Sequence, residues 1–582
     1  MISILISWIP LALTAYLWGL GIMKIAKVSE ETKAKHLDMI MFMGLCSMTV
    51  YAQYFSLVMG VGLSALVIVA IIDVIMIAIN LESIKEQLKA LRLVKWYTYV
   101  IIAIISIVLV ILSSRRPLHY DTGLYHAQAV RWIEEYGVVP GLGNLHNRLA
   151  YNSAIFALEA LFGLKPILHQ TIHGVDGFFE VVLISYTLLS FKGIRQGKIQ
   201  VSDALRVGLL LYLTIPENIV VISSLGSDIP ALGLMMYILI KWVSLIEDKE
   251  SEDTIRLQSL LCVLAVYGMS IKLSVAMMIL LTIHPVVEYI KTKDFKNIIK
   301  YLVLGTIVIA PFLIRNVIIS GYLIYPYPEI DLFNVDWKMN AYTCLFDRYE
   351  IQAWGRKLCD VNLANASFGE WFPVWWSNLS LLMKIWFITT PVSIVVIAVQ
   401  AVYRIIKDKK TDILSCVIAI IASVSLWFTG SPDSRYGGVF LSIAPLLVIG
   451  FIVTFVIEKV KESKTRTITV TALSVILAVG ILLPFGKYLI KGDNSNILRC
   501  ADYEWKSGEL VELDGQMMFV PTDTDQAGYN LFPSTPYMDR VALIELRGDT
   551  FHDGIRLREE YKDKYVSTYG GVGTVNIFEK DN

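Results

Sequence analysis

The sequence predicts an all-α integral membrane protein of about fourteen transmembrane helices, with amphipathic helices on its outer face and a small C-terminal α/β domain outside the membrane. Hydrophobic residues make up 55% of the 582 residues, and charged residues only 18%. Apolar runs recur at the length of about 20 residues that a bilayer-spanning helix requires. We therefore divide the chain into a membrane domain, residues 1–489, and an extracytoplasmic domain, residues 490–582.

The first apolar run, Met1–Met23, lacks the basic start and the cleavage site of a removable signal, so it is interpreted as a span. The predicted spans are residues 2–23, 37–59, 61–80, 96–113, 167–190, 203–223, 227–246, 254–270, 272–290, 297–319, 381–404, 413–429, 436–458 and 467–488.

Lysine and arginine are concentrated in alternate loops, which predicts the orientation. The basic loops are 24–35, 85–95, 192–198, 241–249, 291–300, 404–410 and 459–466. The loops near 60, 224–230 and 430–435 contain one basic residue, Arg435. Because basic short loops stay in the cytoplasm, we expect a multi-pass protein of the plasma or inner membrane. Its outer segments would then be 114–166, 320–380 and the tail.

The tail has the alternation of a soluble segment. Gln516–Pro521 and Val575–Phe578 are predicted strands, and Asp553–Tyr565 is a predicted charged helix. Gly570–Gly573 lacks the strand and helix of a phosphate loop, so we expect no nucleotide site there. Cys344 and Cys359 share one polar loop, and their spacing does not decide whether they pair.

Asp121 lies at the first long polar break, where an apolar helix ends and an amphipathic one begins. Tyr125, Gln128 and Trp132 follow it at spacings of four, three and four, which places all four side chains near one helical stripe. Such a face can hold a polar, ring-shaped ligand. The alternative is that Asp121 or Thr122 only caps the new helix.

Three other ionisable residues stand alone at predicted outer span ends. Asp228 precedes Pro230 and either is functional or caps its helix. Lys272 either acts at a site or only extends its amine to the interface. Arg435 suits a phosphate because its guanidinium offers several donors, although Asp433 could equally pair with it.

The loop 320–380 is rich in aromatic residues. Trp371, Trp375 and Trp376 are typical of an interfacial belt. Tyr325–Asp331, followed by Asp336 and Trp337, mixes rings with carboxylates, as a carbohydrate or lipid-headgroup site would.

These motifs together resemble the GT-C superfamily of membrane glycosyltransferases, which use polyprenyl-phosphate-linked sugars. The resemblance is carried by His119–His126, Ser227–Pro230, Gly268–Ser274 and the pair Arg435 and Tyr436. It implies that Asp121 is the catalytic base. The family's second acidic residue is missing, since Tyr120 and Thr122 flank Asp121, and extra spans precede the first outer loop. The cofactor is therefore unknown: a divalent cation is left open, and no metal ligand is assigned because the sequence has no clear metal motif.

Tyr120–Arg148 and Arg315–Pro328 also resemble an uncharacterised family of bacterial multi-pass membrane proteins. The predicted substrate-binding residues are Tyr120, Tyr125, His126, Gln128, His146, Arg148, Asp228, Lys272, Arg315, Asp433 and Arg435.

The predicted function is an inverting glycosyltransferase acting on the outer face of the membrane. Its expected partners are a polyprenyl-phosphate-linked sugar donor, a lipid or glycan acceptor and the lipid bilayer, and no nucleic acid. One alternative is a polysaccharide polymerase or ligase. Another is a lipid or solute transporter, which predicts internal repeats and charges near mid-span. The sequence shows no such repeat, and its prominent charges lie at span ends.

Overall fold

The computed structural model describes residues 1–191, 199–248, 253–459 and 483–573, with the isolated positions 468, 472, 479 and 480. The predicted strand Val575–Phe578 lies outside the described residues. So do the basic loop 192–198, most of the basic loop 459–466, the last residue of the basic loop 241–249 and most of the predicted span 467–488.

The described chain is mainly α-helical. The first helices are α1 (Ile2–Ile25), α2 (Glu30–Lys35), α3 (Leu37–Ser56), α4 (Leu63–Ile79), α5 (Leu81–Arg92), α6 (Trp96–Ser113), α7 (Ala127–Glu135), α8 (Leu142–Leu145), α9 (Ile155–Leu161), α10 (Lys165–Leu168) and α11 (Val175–Ser190). The middle helices are α12 (Val201–Leu213), α13 (Pro216–Val220), α14 (Asp228–Glu247), α15 (Thr254–Ile271), α16 (Ile283–Lys291) and α17 (Phe295–Ser320).

The remaining helices are α18 (Ala341–Gly355), α19 (Phe368–Asn378), α20 (Leu381–Asp408), α21 (Asp412–Gly430), α22 (Ser434–Gly437), α23 (Phe440–Lys459) and α24 (Met538–Leu543). A π-helical turn covers Thr122–His126. Short 3-10 turns cover Asn147–Tyr151, Val221–Ser223, Val361–Leu363, Phe551–Asp553 and Glu559–Tyr561, and a longer one covers Leu273–Thr282.

Single residues explain where two helices around the loop 320–380 end and begin. Helix α17 ends at Gly321, whose φ of 83° is the left-handed conformation that glycine adopts without strain. Helix α18 begins after Asn340, whose side chain accepts hydrogen bonds from the N–H groups of Tyr342 and Thr343. Both ends therefore follow from the residues that occupy them.

By length and composition, nine helices among the described residues can cross a membrane, or up to eleven if each of two bent pairs counts as one span. These helices are those of a multi-pass membrane protein, so the all-α class is confirmed, whereas the count of fourteen is not. The predicted span 203–223 is bent by 58° between α12 and α13. Pro216 begins α13, and a proline disfavours the helical conformation of the residue before it. The predicted span 167–190 is interrupted after α10, and the helix that follows, α11, has only 16 residues, fewer than a span of about 20 requires.

Within residues 483–573 the structure has two two-stranded antiparallel sheets. Strand β1 (Gly508–Leu513) pairs with β2 (Gln516–Pro521), and β3 (Ile544–Leu546) pairs with β4 (Ile555–Leu557). The prediction of a strand at Gln516–Pro521 is confirmed.

The prediction of a charged helix over Asp553–Tyr565 is wrong. Gly554 has a φ of 105°, which breaks any helix there, and Ile555 then pairs with Leu546 across the sheet. Ile555 and Leu557 are buried while Arg556 between them is not. The segment therefore follows the period of two of a strand.

The C-terminal segment, residues 500–573, packs on the loops that precede it along the chain. One buried cluster joins Trp132 and Tyr325 to Ile544, Phe551 and Ile555. The N–H of Ile555 also donates to the carbonyl of Pro140 at 2.8 Å. The segment is thus held directly against the loop 114–166.

All six cysteines are free. Cys344 is buried in the core shared with the C-terminal segment, whereas Cys359 is exposed.

Candidate functional site

Four charged residues from four distant parts of the chain form one ion-pair network, which we call the charged tetrad: Asp121, Asp228, Lys272 and Arg435. The Nη2 atom of Arg435 lies 2.6 Å from Oδ2 of Asp121, and its Nε lies 2.7 Å from Oδ2 of Asp228. The other oxygen of Asp228 pairs with the amine of Lys272. Two carboxylates and two cations give the tetrad a formal charge of zero.

Asp121 is positioned by hydrogen bonds from its neighbours to the turn before α14. The N–H of His119 donates to Oγ of Ser224 at 3.1 Å, and the hydroxyl of Thr122 donates to the carbonyl of Leu225 at 2.9 Å. The Asp121 side chain makes no capping hydrogen bond to the helical turn that follows it. It is therefore not the helix cap of the alternative interpretation, and its carboxylate points to Arg435.

Asp228 is likewise engaged by cations. It is the first residue of α14, but its side chain pairs with Lys272 and Arg435. The amine of Lys272 also lies 5.0 Å from the ring centroid of Tyr436, close enough for a cation–π contact. Lys272 is therefore part of a site rather than an amine that only reaches for the interface.

Arg435 is held by a short turn. The Oδ1 atom of Asp433 accepts the backbone N–H of Arg435 at 2.8 Å, while its Oδ2 pairs with Lys357. The alternative in which the side chains of Asp433 and Arg435 pair with each other is therefore not what the structure shows, because Asp433 pairs with Lys357. Helix α22 has only four residues, so the anion-binding capacity of Arg435 comes from its guanidinium and not from a helix terminus.

Two indole N–H groups fix the same turn from below. Trp375 donates to the carbonyl of Pro432 and Trp427 to the carbonyl of Asp433, each at 2.7 Å. Trp371 and Trp375 are buried inside the protein. The interpretation of these two tryptophans as an interfacial belt is wrong, because both are buried inside the protein, where Trp375 holds the turn that carries Arg435.

The tetrad keeps Asp121 ionised. Burial alone would raise the pKa of Asp121, but the guanidinium of Arg435 and the rings of His126 and His119 hold it at about 2. Burial lowers the pKa of His126 to about 4, so this ring is neutral at physiological pH. Its Nδ1 lies 2.7 Å from the carbonyl of Leu225. His126 thus helps to fix the turn and does not act as a cation.

The predicted stripe of Asp121, Tyr125, Gln128 and Trp132 is divided between two neighbours. The amide of Gln128 donates to the carbonyls of Gly528 and Leu531, at 2.8 and 2.7 Å, and Trp132 packs on Phe532. These two predicted ligand contacts are wrong, since both side chains are buried against the C-terminal segment. A helix face shows which residues lie together but not what covers them.

Arg315 has a packing role in the structure. It is buried near the end of α17, where its guanidinium donates to Asn152 at 2.8 Å and to Ser56 at 2.5 Å. These bonds tie together α17, α3 and the loop before α9. The structure therefore places it in the helix packing and not with the tetrad.

Next to the tetrad lies a second polar cluster, which the sequence showed only in part. Arg148 is 3.6 Å from Glu350, and Glu350 accepts a hydrogen bond from the phenol of Tyr569. The ring of Tyr537 lies 5.1 Å from that of Tyr569 and 5.9 Å from that of His146. Sequence reasoning identified Arg148 and His146 but missed their partners, because no local pattern marks single residues that lie more than 200 positions away.

Tyr120 and Tyr125 contact this second cluster from the side of Asp121. The phenol of Tyr120 donates to Asp525 at 2.5 Å, and the ring of Tyr125 lies 6.3 Å from that of His146. Asp525 was also missed.

A divalent cation does not fit the residues of the tetrad. Asp121 and Asp228 are its only carboxylates, and each is already paired with a cation. In the part of the chain that the structure describes, no group of three or more histidine, cysteine, aspartate or glutamate side chains could hold a metal ion.

Comparison with family models identifies the family of this chain. A family model described as a domain of unknown function (DUF8201) matches residues 1–442. No curated protein and no solved structure matches the chain.

Proposed function

We propose that this chain, which belongs to the DUF8201 family, is an inverting glycosyltransferase that moves a sugar from a polyprenyl-phosphate donor to an envelope acceptor on the outer face of the plasma membrane. The observation that carries the proposal is the contact between Asp121 and Arg435, which joins a proton acceptor to a phosphate-binding group. The multi-pass architecture supports it, because a polyprenyl donor is delivered within the bilayer.

The reaction would run in one displacement. Asp121 accepts the proton of an acceptor hydroxyl, and the acceptor oxygen bonds to the anomeric carbon of the sugar. The bond between that carbon and the phosphate oxygen breaks, and its electron pair stays on the phosphate. Arg435 and Lys272 stabilise the charge that grows there.

In the resting site the base and the cation neutralise each other. A carboxylate with a pKa of about 2 is a weak base, so the ion pair between Asp121 and Arg435 must open before Asp121 can accept a proton. A donor phosphate can open it, because phosphate oxygens bind both arms of a guanidinium. The side chain of Arg435 is 39% exposed, which leaves it accessible to the donor.

Once the donor phosphate draws the Arg435 guanidinium away, Asp121 would become a better base. The side chain of Asp121 is only 11% exposed, and burial without a cation raises a carboxyl pKa. Donor binding would therefore switch on the base, which makes the donor the first substrate to bind. Asp228 and Lys272 stay paired in this scheme, so Asp121 is the one carboxylate of the tetrad left without a cation.

A polymerase or ligase would use the same base and cations and differs only in its acceptor. A transporter is the second candidate, and Glu180 is the observation in its favour. Glu180 is fully buried in α11, and neither of its carboxylate oxygens has a hydrogen-bond partner among the described residues. Buried ionisable groups of this kind mark ion pathways in transporters.

The decisive experiment is turnover of a polyprenyl-phosphate hexose by the full chain in lipid nanodiscs. Asp121→Asn keeps the shape of the side chain but cannot accept a proton, so release of polyprenyl phosphate should fall by about 10² to 10⁴. Asp549→Asn, at an exposed carboxylate of the C-terminal segment, is the matched control and should turn over at the parental rate. Parental turnover in Asp121→Asn would remove the base from the mechanism.

A further inference from the structure

We propose that the second polar cluster is the acceptor subsite and that it binds a neutral, polyhydroxylated compound, that is, a carbohydrate. That the bound compound is the acceptor of the reaction rests on the proposed function, whereas the binding of a carbohydrate here does not. We use the name acceptor surface for four residues of this cluster together with Tyr120 and Asp525, which border it. The six residues are Tyr120, Arg148, Glu350, Asp525, Tyr537 and Tyr569.

The acceptor surface adjoins the proposed base through the backbone. Tyr120 is the residue before Asp121, and its carbonyl accepts a hydrogen bond from the amide of Gln526 at 3.2 Å. Two residues after Asp121, the carbonyl of Gly123 accepts the N–H of Gly528 at 2.8 Å. The C-terminal segment therefore lies along the turn that holds Asp121, and a ligand held by both would reach the base.

The surface offers hydrogen-bond groups of both kinds, as hydroxyl groups require. Glu350 and Asp525 accept, and Arg148 donates. Oε2 of Glu350 is buried and has no hydrogen-bond partner among the described residues, with Arg148 at 3.6 Å. An acceptor atom in this state is completed by a ligand hydroxyl, because a buried oxygen without a partner costs free energy.

Two aromatic faces of the surface remain open. Tyr120 is 55% exposed and Tyr569 is 45% exposed, although each phenol already contacts a carboxylate. The hydroxyl end of each ring is thus fixed, while about half of each residue stays accessible to a ligand. Pyranose rings present C–H groups that pack on such faces.

The charge of the surface separates it from the tetrad. Arg148 is the one cation of the acceptor surface, and Glu350 and Asp525 oppose it. No positive charge is left over for a phosphate or a carboxylate ligand, whereas Arg435 in the tetrad can be released to an anion. The donor phosphate and a neutral acceptor would therefore occupy different sides of Asp121.

Three of the six residues lie outside the matched family residues 1–442. Asp525, Tyr537 and Tyr569 belong to the C-terminal segment, while all four members of the tetrad lie within the match. We therefore infer that the matched part of the chain carries the proposed chemistry and that the C-terminal segment selects the acceptor.

The test measures sugar binding directly by saturation-transfer NMR on the full chain in nanodiscs. The probes are methyl β-glucopyranoside, its N-acetylglucosamine counterpart and methyl glucuronide, each at on the order of 10 mM, because single sugars bind weakly. We expect saturation transfer to the two neutral glycosides and not to the glucuronide. Tyr120→Ala and Tyr569→Ala should each weaken neutral-sugar binding by about fivefold to tenfold, the value of one lost ring contact.

Both variants remove exposed rings, so the fold should survive. Trp505→Ala removes an equally large ring, 75% exposed, from the same C-terminal segment and should leave binding unchanged. The assay contains no donor and requires no turnover, so its outcome is independent of the catalytic proposal. Absence of binding, equal binding in the tyrosine variants, or preference for the glucuronide would each overturn the carbohydrate surface.

Discussion

The guanidinium of Arg435 lies 2.6 Å from the carboxylate of Asp121, although 314 positions separate the two residues along the chain. This contact joins the outer loop after α6 to the turn before α23. It also means that neither residue is free in the resting site.

Substitution of Arg435 should weaken donor binding in two steps. Arg435→Lys keeps the positive charge but loses the planar fork, so affinity for polyprenyl phosphate should fall by about tenfold. Arg435→Ala loses both and should fall further. Binding can be measured by quenching of a fluorescent polyprenyl phosphate in nanodiscs. Arg499→Lys, at an exposed arginine of the tail, is the matched control. Unchanged affinity in Arg435→Ala would assign this residue to structure alone.

The acid limb of turnover should lie well above pH 2. The free protein holds the pKa of Asp121 at about 2, and loss of Arg435 to the donor phosphate should raise it. A higher pKa means that Asp121 becomes protonated, and turnover falls, at a higher pH. The profile of kcat against pH reports the donor complex, while the profile of kcat/KM reports the free enzyme. An acid limb that stays near pH 2 in the kcat profile would contradict the release of Arg435.

Loss of the indole N–H of Trp375 or Trp427, with an aromatic ring retained, should destabilise the turn that carries Arg435. Trp375→Phe and Trp427→Phe keep an aromatic ring but leave the carbonyls of Pro432 and Asp433 without their donors. Each should lower the free energy of unfolding by about 1–3 kcal/mol and weaken donor binding. Trp376→Phe is the control, because no hydrogen bond from its indole to this turn is seen in the described structure. Thermal stability and donor affinity should fall together. A loss of stability with full donor affinity would show that donor binding does not depend on these two indole hydrogen bonds.

Labelling of a native cysteine tests the orientation. Cys359 is exposed in the outer loop 320–380, and the other five cysteines are buried. A membrane-impermeant maleimide should therefore label intact cells, and Cys359→Ser should abolish the signal. In that background, Ser367→Cys should restore labelling and Lys407→Cys should react only after permeabilisation. The reverse pattern would place the tetrad on the cytoplasmic face and remove the polyprenyl donor from the proposal.

The sequence identified all four members of the tetrad, because a charged residue at the end of an apolar run stands out. Their pairing could not be predicted, since hydrophobic periodicity does not show which helices are neighbours. Glu350, Asp525 and Tyr569 were missed because they lie in polar segments where similar residues are common. Their role depends on contacts with residues far away in the chain.

Two features of the fold were predicted incorrectly, each for a physical reason. Apolar composition predicts where a chain prefers lipid but not where it bends, so the 58° break before Pro216, inside the predicted span 203–223, was not foreseen. The 79° break between α4 and α5 instead coincides with the predicted end of the span 61–80. The charged segment around Arg556 was predicted to be a helix from composition, whereas Gly554 and the partner strand β3 decide its conformation.

The neutral tetrad also bears on how the product leaves. After transfer the lipid carries a phosphate monoester with a charge of about −1.5 to −2, held by Arg435 while Asp121 carries the captured proton. When that proton passes to water, the carboxylate regains its charge and competes with the phosphate for the same guanidinium. The resting ion pair would thus act as the built-in displacer of the spent lipid, and the enzyme would return to its starting charge of zero. Asp121→Asn should then be more strongly inhibited by polyprenyl phosphate than the parent, since an amide cannot reclaim the cation.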